Sequence, residues 1–354
     1  MNLSCLARVK LARRAVFRFD ADSDIGGGHA MRCLALADAL AGLGWDCQFA
    51  ITRTTFEFVQ RLTDYPQSCC LVPDELVAQP AHMLASFAGQ SLDLLVIDHY
   101  GWNGKLEHHC RDIANKLLVI DDLADRQHDS DFLLDQNLGR YARDYKGLLP
   151  SECKVLVGPK YALLRPQFHA LRKKTLANRL IRKRVDRVLI SFGLSDTHEL
   201  ILKTLHALKD LGFDGCIDLV LAANSTNLSK IEGLGAMVPG HIRVHAEVQD
   251  MAFLMARADI AIGGGGTTCW ERCALGLPTV IIVVAQNQTS IATGLANAGA
   301  AWVVGSNLDV TSDDIARAVH ALISDDSRRH SMSFAASKIC DAAGCEHVLR
   351  ELGL

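Results

Sequence analysis

The stretch Ala21–Arg32, ADSDIGGGHAMR, decides how the first half of this chain folds. It follows the apolar run Ala15–Asp20 and precedes apolar residues at helical spacing, so it predicts a strand, a glycine turn and a helix. Because Gly26–Gly28 carry no Cβ, the backbone can turn tightly there and lie close to a ligand. The helix N-terminus favours negative charge, and His29 is well suited to move a proton near neutral pH. The stretch therefore predicts a catalytic or ligand-binding loop.

Composition limits the class of protein. A chain of 354 residues with 49% hydrophobic content is long for one domain, so we expect two. The net charge of −3 gives no electrostatic footprint for nucleic acid or a membrane surface. No apolar run reaches the roughly 18–20 residues that span a bilayer. The first residues, MNLSCLARVKLARR, do not resemble a secretory signal, and the 12 cysteines are typical of reduced thiols, so we expect a cytoplasmic protein.

Short apolar runs alternate with helical patterns along the whole chain, which predicts two doubly wound α/β domains whose ligands bind at the carboxyl ends of the strands. The strands predicted are Ala15–Phe19, Cys47–Ile51, Leu94–Ile97, Leu117–Ile120, Val155–Val157, Val188–Ser191, Ile217–Leu221, Ile260–Ile262, Thr279–Val284 and Trp302–Val304. Helices predicted between them include Met31–Leu43, Leu106–Asn115 and Glu199–Leu211, and a last helix is predicted over Asp326–Leu352.

The domain limits follow from where this pattern pauses. Residues 168–187 are rich in charge (RKKTLANRLIRKR) and predict an exposed connection. We therefore expect a tail at 1–14, a first Rossmann-like domain at 15–170, a linker at 171–186 and a second Rossmann-like domain at 187–354. Two such domains facing each other would leave a central cleft.

A second glycine-rich loop, Gly263–Thr268 (GGGGTT), again follows a strand and opens a helix. Backbone amides of Gly265 and Gly266 and the hydroxyls of Thr267 and Thr268 could hold a diphosphate. Glu271, one turn further on, could accept hydrogen bonds from a ribose diol. The alternative is a packing turn with Glu271 beside the helix dipole. We favour the phosphate interpretation because four glycines exceed what packing needs, although no Lys-Ser/Thr follows as in a P-loop.

Three polar clusters also follow predicted strands. Gln286-Asn287-Gln288 could bind a sugar or phosphate, or Asn287 could simply cap a helix. Asp98-His99-Tyr100-Gly101 could belong to the site of His29, or form an ordinary polar loop in which Asp98 and His99 satisfy each other. Asp121-Asp122 would bring two carboxylates to the same cleft.

Five segments in this order carry a resemblance to a known family: DIGGGHAMR, IDHYG, IDDLADRQHDSDFLLDQN, DYKGLLPSECKVLVGPKYALLRPQF and GGGTTCWERCALGLPTVIIVVAQNQ. Over residues 15–305 the chain resembles the UDP-sugar hydrolases of pseudaminic acid biosynthesis, which remove UDP from UDP-2,4-diacetamido-2,4,6-trideoxy-β-L-altropyranose. It resembles more distantly the UDP-GlcNAc transferase of peptidoglycan synthesis. The resemblance implies a GT-B-like fold.

Residue by residue, the resemblance implies that His29 is the catalytic base. It implies that Tyr100 lies near the sugar and Asn287 near the diphosphate or sugar, and we expect Gly27 and Gly28 to bind the substrate as well. Glu271 would bind the uridine ribose. One departure is Gly193-Leu194-Ser195-Asp196, where relatives often have Gly-Gly-Ser/Thr-Asp, so Ser195 and Asp196 carry little weight as phosphate contacts.

The activity so implied is attack of water on the anomeric carbon, with inversion and departure of UDP. We expect no metal and no cofactor, a monomer, and a UDP-sugar as the small-molecule partner. A GT-B glycosyltransferase that uses a UDP-sugar donor, a non-catalytic nucleotide-sugar binding protein and a UDP-sugar 2-epimerase stay open, because one fold serves many activities.

Overall fold

A computed structural model describes residues 12–193, 197–221, 238–246, 248 and 250–354. Ser195 and Asp196 lie outside the described residues, as does most of the predicted tail. In this part of the chain, no helix combines the length and apolar character needed to cross a membrane.

Two parallel sheets organise the described residues, and each follows the order of a doubly wound domain. The first sheet runs β3-β2-β1-β4-β5-β6-β7, and the second runs β10-β9-β8-β11-β12-β13. The strands are β1 (Arg14–Phe19), β2 (Asp46–Ile51), β3 (Cys69–Leu71), β4 (Leu94–Asp98), β5 (Leu117–Ile120), β6 (Phe132–Asp135), β7 (Lys154–Val157), β8 (Arg187–Ser191), β9 (Cys216–Leu221), β10 (His241–Ala246), β11 (Ile260–Gly264), β12 (Thr279–Val283) and β13 (Trp302–Ser306).

Helices cover both faces of each sheet, so the central strands are buried on both sides and read as continuous apolar runs. The described α-helices are α1 (Gly28–Ala41), α2 (Arg53–Phe58), α3 (Gln79–Ser86), α4 (Gly104–His108), α5 (Pro166–Ile181), α6 (His198–Asp210), α7 (Met251–Arg257), α8 (Thr268–Ala274), α9 (Thr289–Asn297), α10 (Ser312–Ser324), α11 (Asp326–Ile339) and α12 (Gly344–Glu351).

The ten predicted strands are all present, which confirms the two doubly wound sheets. Three strands were not predicted. β3 and β6 are only three and four residues long. β10 forms an edge of its sheet, and its side chains are largely exposed, so its sequence HIRVHA lacks an apolar run.

The charged segment 168–187 is exposed along one face, as its composition predicts, but its other face is buried. Most of it is helix α5, which packs against α7, α8 and α11 of the second domain. Phe168 is fully buried, and the buried guanidinium of Arg179 donates to three backbone carbonyls. The charged sequence of α5 predicts a helix in solvent, but Arg179 of this helix donates to carbonyls at the ends of other helices. The predicted linker 171–186 therefore lies largely within this helix.

The predicted last helix, Asp326–Leu352, is two helices. The helical conformation ends at Ile339 and resumes at Gly344, and between them Ala342 adopts a positive φ of 65°. Helix α12 then packs on the first domain, where Val348 is buried with α1 and Glu351 accepts a hydrogen bond from Tyr161 at 3.2 Å. A Cβ at Gly344 would overlap the backbone of Ala162, so this glycine permits the close contact. The limits of the two domains stay a prediction, and the last helix crosses them.

Candidate functional site

Both switch points of the sheets carry one of the glycine-rich loops. The histidine loop, Asp20–Gly28, leaves β1, and the polar segment Asp98–Gly101 ends the neighbouring β4. In the second sheet, the glycine loop, Gly263–Thr267, ends β11 beside β8. Because ligands of doubly wound sheets bind at this position, the topology places both loops where a site is expected.

The side chain of Asp22 fixes the conformation of the histidine loop. Asp22 Oδ1 accepts from the amides of Asp24 and Ile25, at 2.8 and 2.7 Å, and Gly26 adopts a positive φ of 78°. Gly27 is the N-cap of α1. His29 thus enters the cleft from the first turn of a 14-residue helix.

His29 and Asp98 form a buried pair. The imidazole Nδ1 lies 2.5 Å from Asp98 Oδ1, and the carboxylate is fully buried. A carboxylate can only accept here, so we assign the proton to Nδ1, which leaves Nε2 as an acceptor. This is the tautomer that a general base requires.

Arg32, one turn after His29, donates two hydrogen bonds, of 2.5 and 2.6 Å, to the same carboxylate. Burial opposes ionisation of Asp98, but Arg32 and then His29 hold its pKa well below the usual range. Arg32 also donates to Asp122 at 3.2 Å. The carboxylate therefore stays charged and orients the imidazole throughout the pH range of most enzymes.

Tyr100 lies beside His29, with ring centroids 4.6 Å apart and an edge-on angle of 89°. Its hydroxyl donates to Asp122 at 3.4 Å, and burial raises its pKa to about 12. The same hydroxyl accepts from Asn287 of the second domain at 3.3 Å. Tyr100 and Asn287, both predicted to contact the substrate, are thus brought together across the cleft, and Asn287 does not act as an N-cap through its side chain.

His99 makes its hydrogen bonds outside the pair of His29 and Asp98. Its Nε2 lies 2.7 Å from Asp20, and its Nδ1 accepts from the amide of Gly101 at 2.8 Å. Burial lowers the pKa of His99, against the effect of Asp20. Of the two histidine interpretations left open for this segment, the geometry supports a satisfied loop residue for His99, while Asp98 belongs to the pair with His29.

The glycine loop faces the histidine loop directly. A Cβ built on Gly28 would lie 3.3 Å from Thr267 Oγ1, so the backbone of Gly28 lies close to the side chain of Thr267. The amide of Gly265 donates to Gln288 Oε1 at 2.8 Å, and a Cβ at Gly266 would meet Gln288 Nε2 at 3.6 Å, an ordinary van der Waals distance. Gln288, from the polar cluster Gln286–Gln288, therefore orders the glycine loop by accepting a hydrogen bond from the Gly265 amide.

Glu271 lies one turn into α8, where its carboxylate is largely buried. Burial raises its pKa, and Arg165 and Arg272 oppose that rise. Arg165 Nη2 approaches it at 3.5 Å. Arg165 comes from the segment ALLRPQF that enters α5, and the sequence analysis did not single it out.

Arg32 and Arg272 were also missed as site residues, whereas Gln288 belongs to the predicted cluster Gln286–Gln288. Arg32 stands at helical spacing, i+3, from His29, a signal that could have indicated a shared partner. Arg272 directly follows a residue that was predicted. Nothing in its position indicates that its side chain turns inward.

The architecture, two doubly wound domains with glycine loops facing one cleft, is GT-B-like. Residues 204–344 match the glycosyltransferase family 28 C-terminal domain. The crystal structure of Acinetobacter baumannii MurG superposes with a TM-score of 0.70 at 16% identity, covering 96% of this chain and 99% of that one.

Among curated proteins, the chain is 29% identical over 288 residues to the UDP-2,4-diacetamido-2,4,6-trideoxy-beta-L-altropyranose hydrolase of Campylobacter jejuni subsp. jejuni. That match covers 81% of this chain and 97% of the hydrolase, and it confirms the resemblance seen in the sequence motifs. The chain is also 25% identical to the spore coat polysaccharide biosynthesis protein SpsG of Bacillus subtilis, over 81% of this chain and 82% of that protein.

Proposed function

We propose that this protein hydrolyses UDP-2,4-diacetamido-2,4,6-trideoxy-β-L-altropyranose to UDP and the free sugar. The similarity to the Campylobacter hydrolase and the GT-B-like fold support an enzyme that acts on UDP-sugars. The observation that carries the hydrolytic step is the pair of His29 and Asp98, 2.5 Å apart, opposite the glycine loop. A place in pseudaminic acid biosynthesis is part of the same proposal. The monomeric state and cytoplasmic location stay predictions.

In the proposed mechanism, His29 Nε2 removes a proton from a water molecule as its oxygen attacks the anomeric carbon. The C1–O bond breaks with inversion, and its electron pair leaves with the β-phosphate of UDP. Asp98 holds the imidazole and stabilises the imidazolium that forms, as a buried carboxylate does for a catalytic histidine. Gly27, Gly28, Tyr100 and Asn287 surround the sugar.

We assign the nucleotide to the second domain. Thr267 and Thr268, with the Gly266 amide, would contact the diphosphate, and Glu271 would accept from the ribose hydroxyls. The Gly265 amide donates to Gln288, so in this assignment Gly265 shapes the loop and leaves direct contact to its neighbours. Donors aimed at the developing charge of the leaving group lower the barrier without rearrangement.

The decisive experiment is phosphorus NMR of the protein with this UDP-sugar and no acceptor, in water enriched in oxygen-18. We expect UDP to appear without oxygen-18 in its β-phosphate, because water attacks the anomeric carbon and the C1–O bond breaks. Label in UDP would indicate attack at phosphorus and contradict the mechanism. His29→Ala should lose about 10² to 10⁴ in rate while UDP binding persists.

A glycosyltransferase is the second candidate, and one observation favours it: residues 204–344 match a glycosyltransferase domain. A transferase would leave the UDP-sugar largely intact without an acceptor. UDP release in the acceptor-free reaction therefore separates the two functions.

A further inference from the structure

The guanidinium of Arg272 lies buried directly behind the glycine loop. The residue is 3% exposed, and its Nη2 donates to the carbonyl of Gly264 and to Cys269 Sγ, the latter at 3.0 Å. A Cβ at Gly263 would overlap Arg272 Nη1 and the carbonyl of Ser191. At least one of the four consecutive glycines is therefore required to admit a cation beneath the loop.

Two other arginines in this domain are equally buried, but their hydrogen bonds are better satisfied. Arg179 donates to three carbonyls at 2.7–2.9 Å, and Arg329 donates to three at 2.6–3.0 Å. Several of these carbonyls lie at helix C-termini, where the helix dipole favours a cation. Both arginines thus have a structural role that fully accounts for their burial.

Arg272 differs from both. It has one carbonyl acceptor, at the end of β11, and its Nε has no hydrogen-bond partner. Within the described ranges, Arg272 forms no ion pair within 4 Å; the carboxylate of Glu271, whose rise in pKa is opposed by both Arg165 and Arg272, forms its ion pair with Arg165. Arg165 and Arg272 thus act on one carboxylate, and a buried positive charge that is only partly balanced points to a ligand of opposite charge.

We propose that Arg272 is a positioning residue for the diphosphate of the UDP-sugar: its guanidinium fixes the Gly264 carbonyl and supplies a positive charge that the bound diphosphate balances. This inference rests on the proposed function and extends it to a residue behind the loop. The loop separates the guanidinium from the ligand, so the interaction is electrostatic. It is strong because the intervening space is protein backbone, where the effective dielectric constant is far below that of water.

The test is calorimetric titration of UDP, UMP, uridine and inorganic pyrophosphate into the unaltered protein and into R272M, R272K and R329M. We expect R272M to weaken UDP binding about 10- to 100-fold, UMP binding less, and uridine binding by less than about twofold. R272K keeps the charge but loses the planar donor geometry, so it should lie between R272M and the unaltered protein. R329M, the matched control, removes an equally buried arginine far from the loop and should leave the ratio of UDP to uridine affinity unchanged.

Equal weakening of UDP and uridine by R272M would mean that Arg272 only supports the loop, and would overturn the proposal. So would unchanged UDP affinity in a folded R272M. If R272M fails to fold, the same comparison is made with R272K. Weaker binding of UDP but not of uridine supports the proposal, and equal weakening or none overturns it. Pyrophosphate separates this inference from the proposed function. An unaltered protein that binds pyrophosphate through Arg272 but not UDP would refute the nucleotide assignment alone, and one that binds neither would refute both.

Discussion

Replacing Asp98 with asparagine tests whether the first domain's charge network sets the tautomer of His29. The fully buried carboxylate accepts from His29 at 2.5 Å and from Arg32 at 2.5 and 2.6 Å. Asparagine has almost the same shape, but its amide can donate to Nδ1. His29 would then carry its proton on Nε2 and could no longer accept a proton from water there.

The substitution should affect both kcat and the free energy of unfolding. Loss of the base should lower kcat by about 10² to 10⁴, the range that general-base catalysis supplies. Loss of one partner from a buried ion pair should reduce the free energy of unfolding by about 3–5 kcal/mol. The remaining contact of Arg32 with Asp122, at 3.2 Å, should keep the cost toward the lower end. The Kd for UDP should stay within about twofold, because the nucleotide is assigned to the other domain.

The assay is UDP release at saturating UDP-sugar, with UDP affinity and urea unfolding measured on the same preparation. Asp129→Asn is the matched control, since it removes a partly buried carboxylate that pairs with Arg111 and His108 away from the cleft. A D98N enzyme that keeps kcat within about tenfold would refute the reasoning, because the base would then not depend on this carboxylate.

Three further predictions use other contacts of the described residues. Gly263→Ala should lower the free energy of unfolding by about 1–3 kcal/mol because its Cβ overlaps Arg272, whereas Gly266→Ala, with nothing closer than 3.6 Å, should change it by less than about 0.5 kcal/mol in a urea titration. Tyr100→Phe should raise KM about 3- to 10-fold and leave kcat nearly constant, since it removes two long hydrogen bonds but keeps the ring beside His29, and a collapse of kcat would contradict this. Burial opposes the charge on His128, but Asp121 and Glu107 raise its pKa to about 9. Protonated His128 should therefore add up to about 3 kcal/mol to the free energy of unfolding below pH 6.5, and this stabilisation should be lost as the pH rises through 9. His128→Gln should flatten that decline in stability measured between pH 6.5 and 9.5.

Much of the architecture could be predicted from the sequence, because buried parallel strands read as short apolar runs bounded by polar turns. β4 and β5 are examples, since every residue in them is buried. The errors came from places where burial does not depend on apolar residues. Helix α5 looks solvated because its sequence is charged, yet Arg179 satisfies carbonyls contributed by other segments 76 to 96 residues away.

The same reason explains which site residues could be predicted. Side chains at the ends of neighbouring parallel strands must meet, so His29, Asp98 and the glycine loop could be expected at shared edges. Arginines are usually exposed, so nothing indicated that Arg272 is buried, and only the i+3 spacing of Arg32 from His29 indicated a shared partner. Their burial is decided by partners elsewhere in the chain, such as Asp98, 66 positions from Arg32. A sequence without its fold does not identify that partner.

The two buried arginines of the cleft differ in charge balance, and this difference separates their roles. Arg32 has carboxylate partners, Asp98 and Asp122, within the first domain, so its charge is compensated before any ligand arrives. Arg272 forms no such ion pair among the residues described. Removing the partners of Arg32 should therefore reduce stability and kcat, whereas removing Arg272 should reduce affinity for phosphate-bearing ligands. We therefore infer that the first domain moves a proton and that the second holds a positive charge which a bound anion balances.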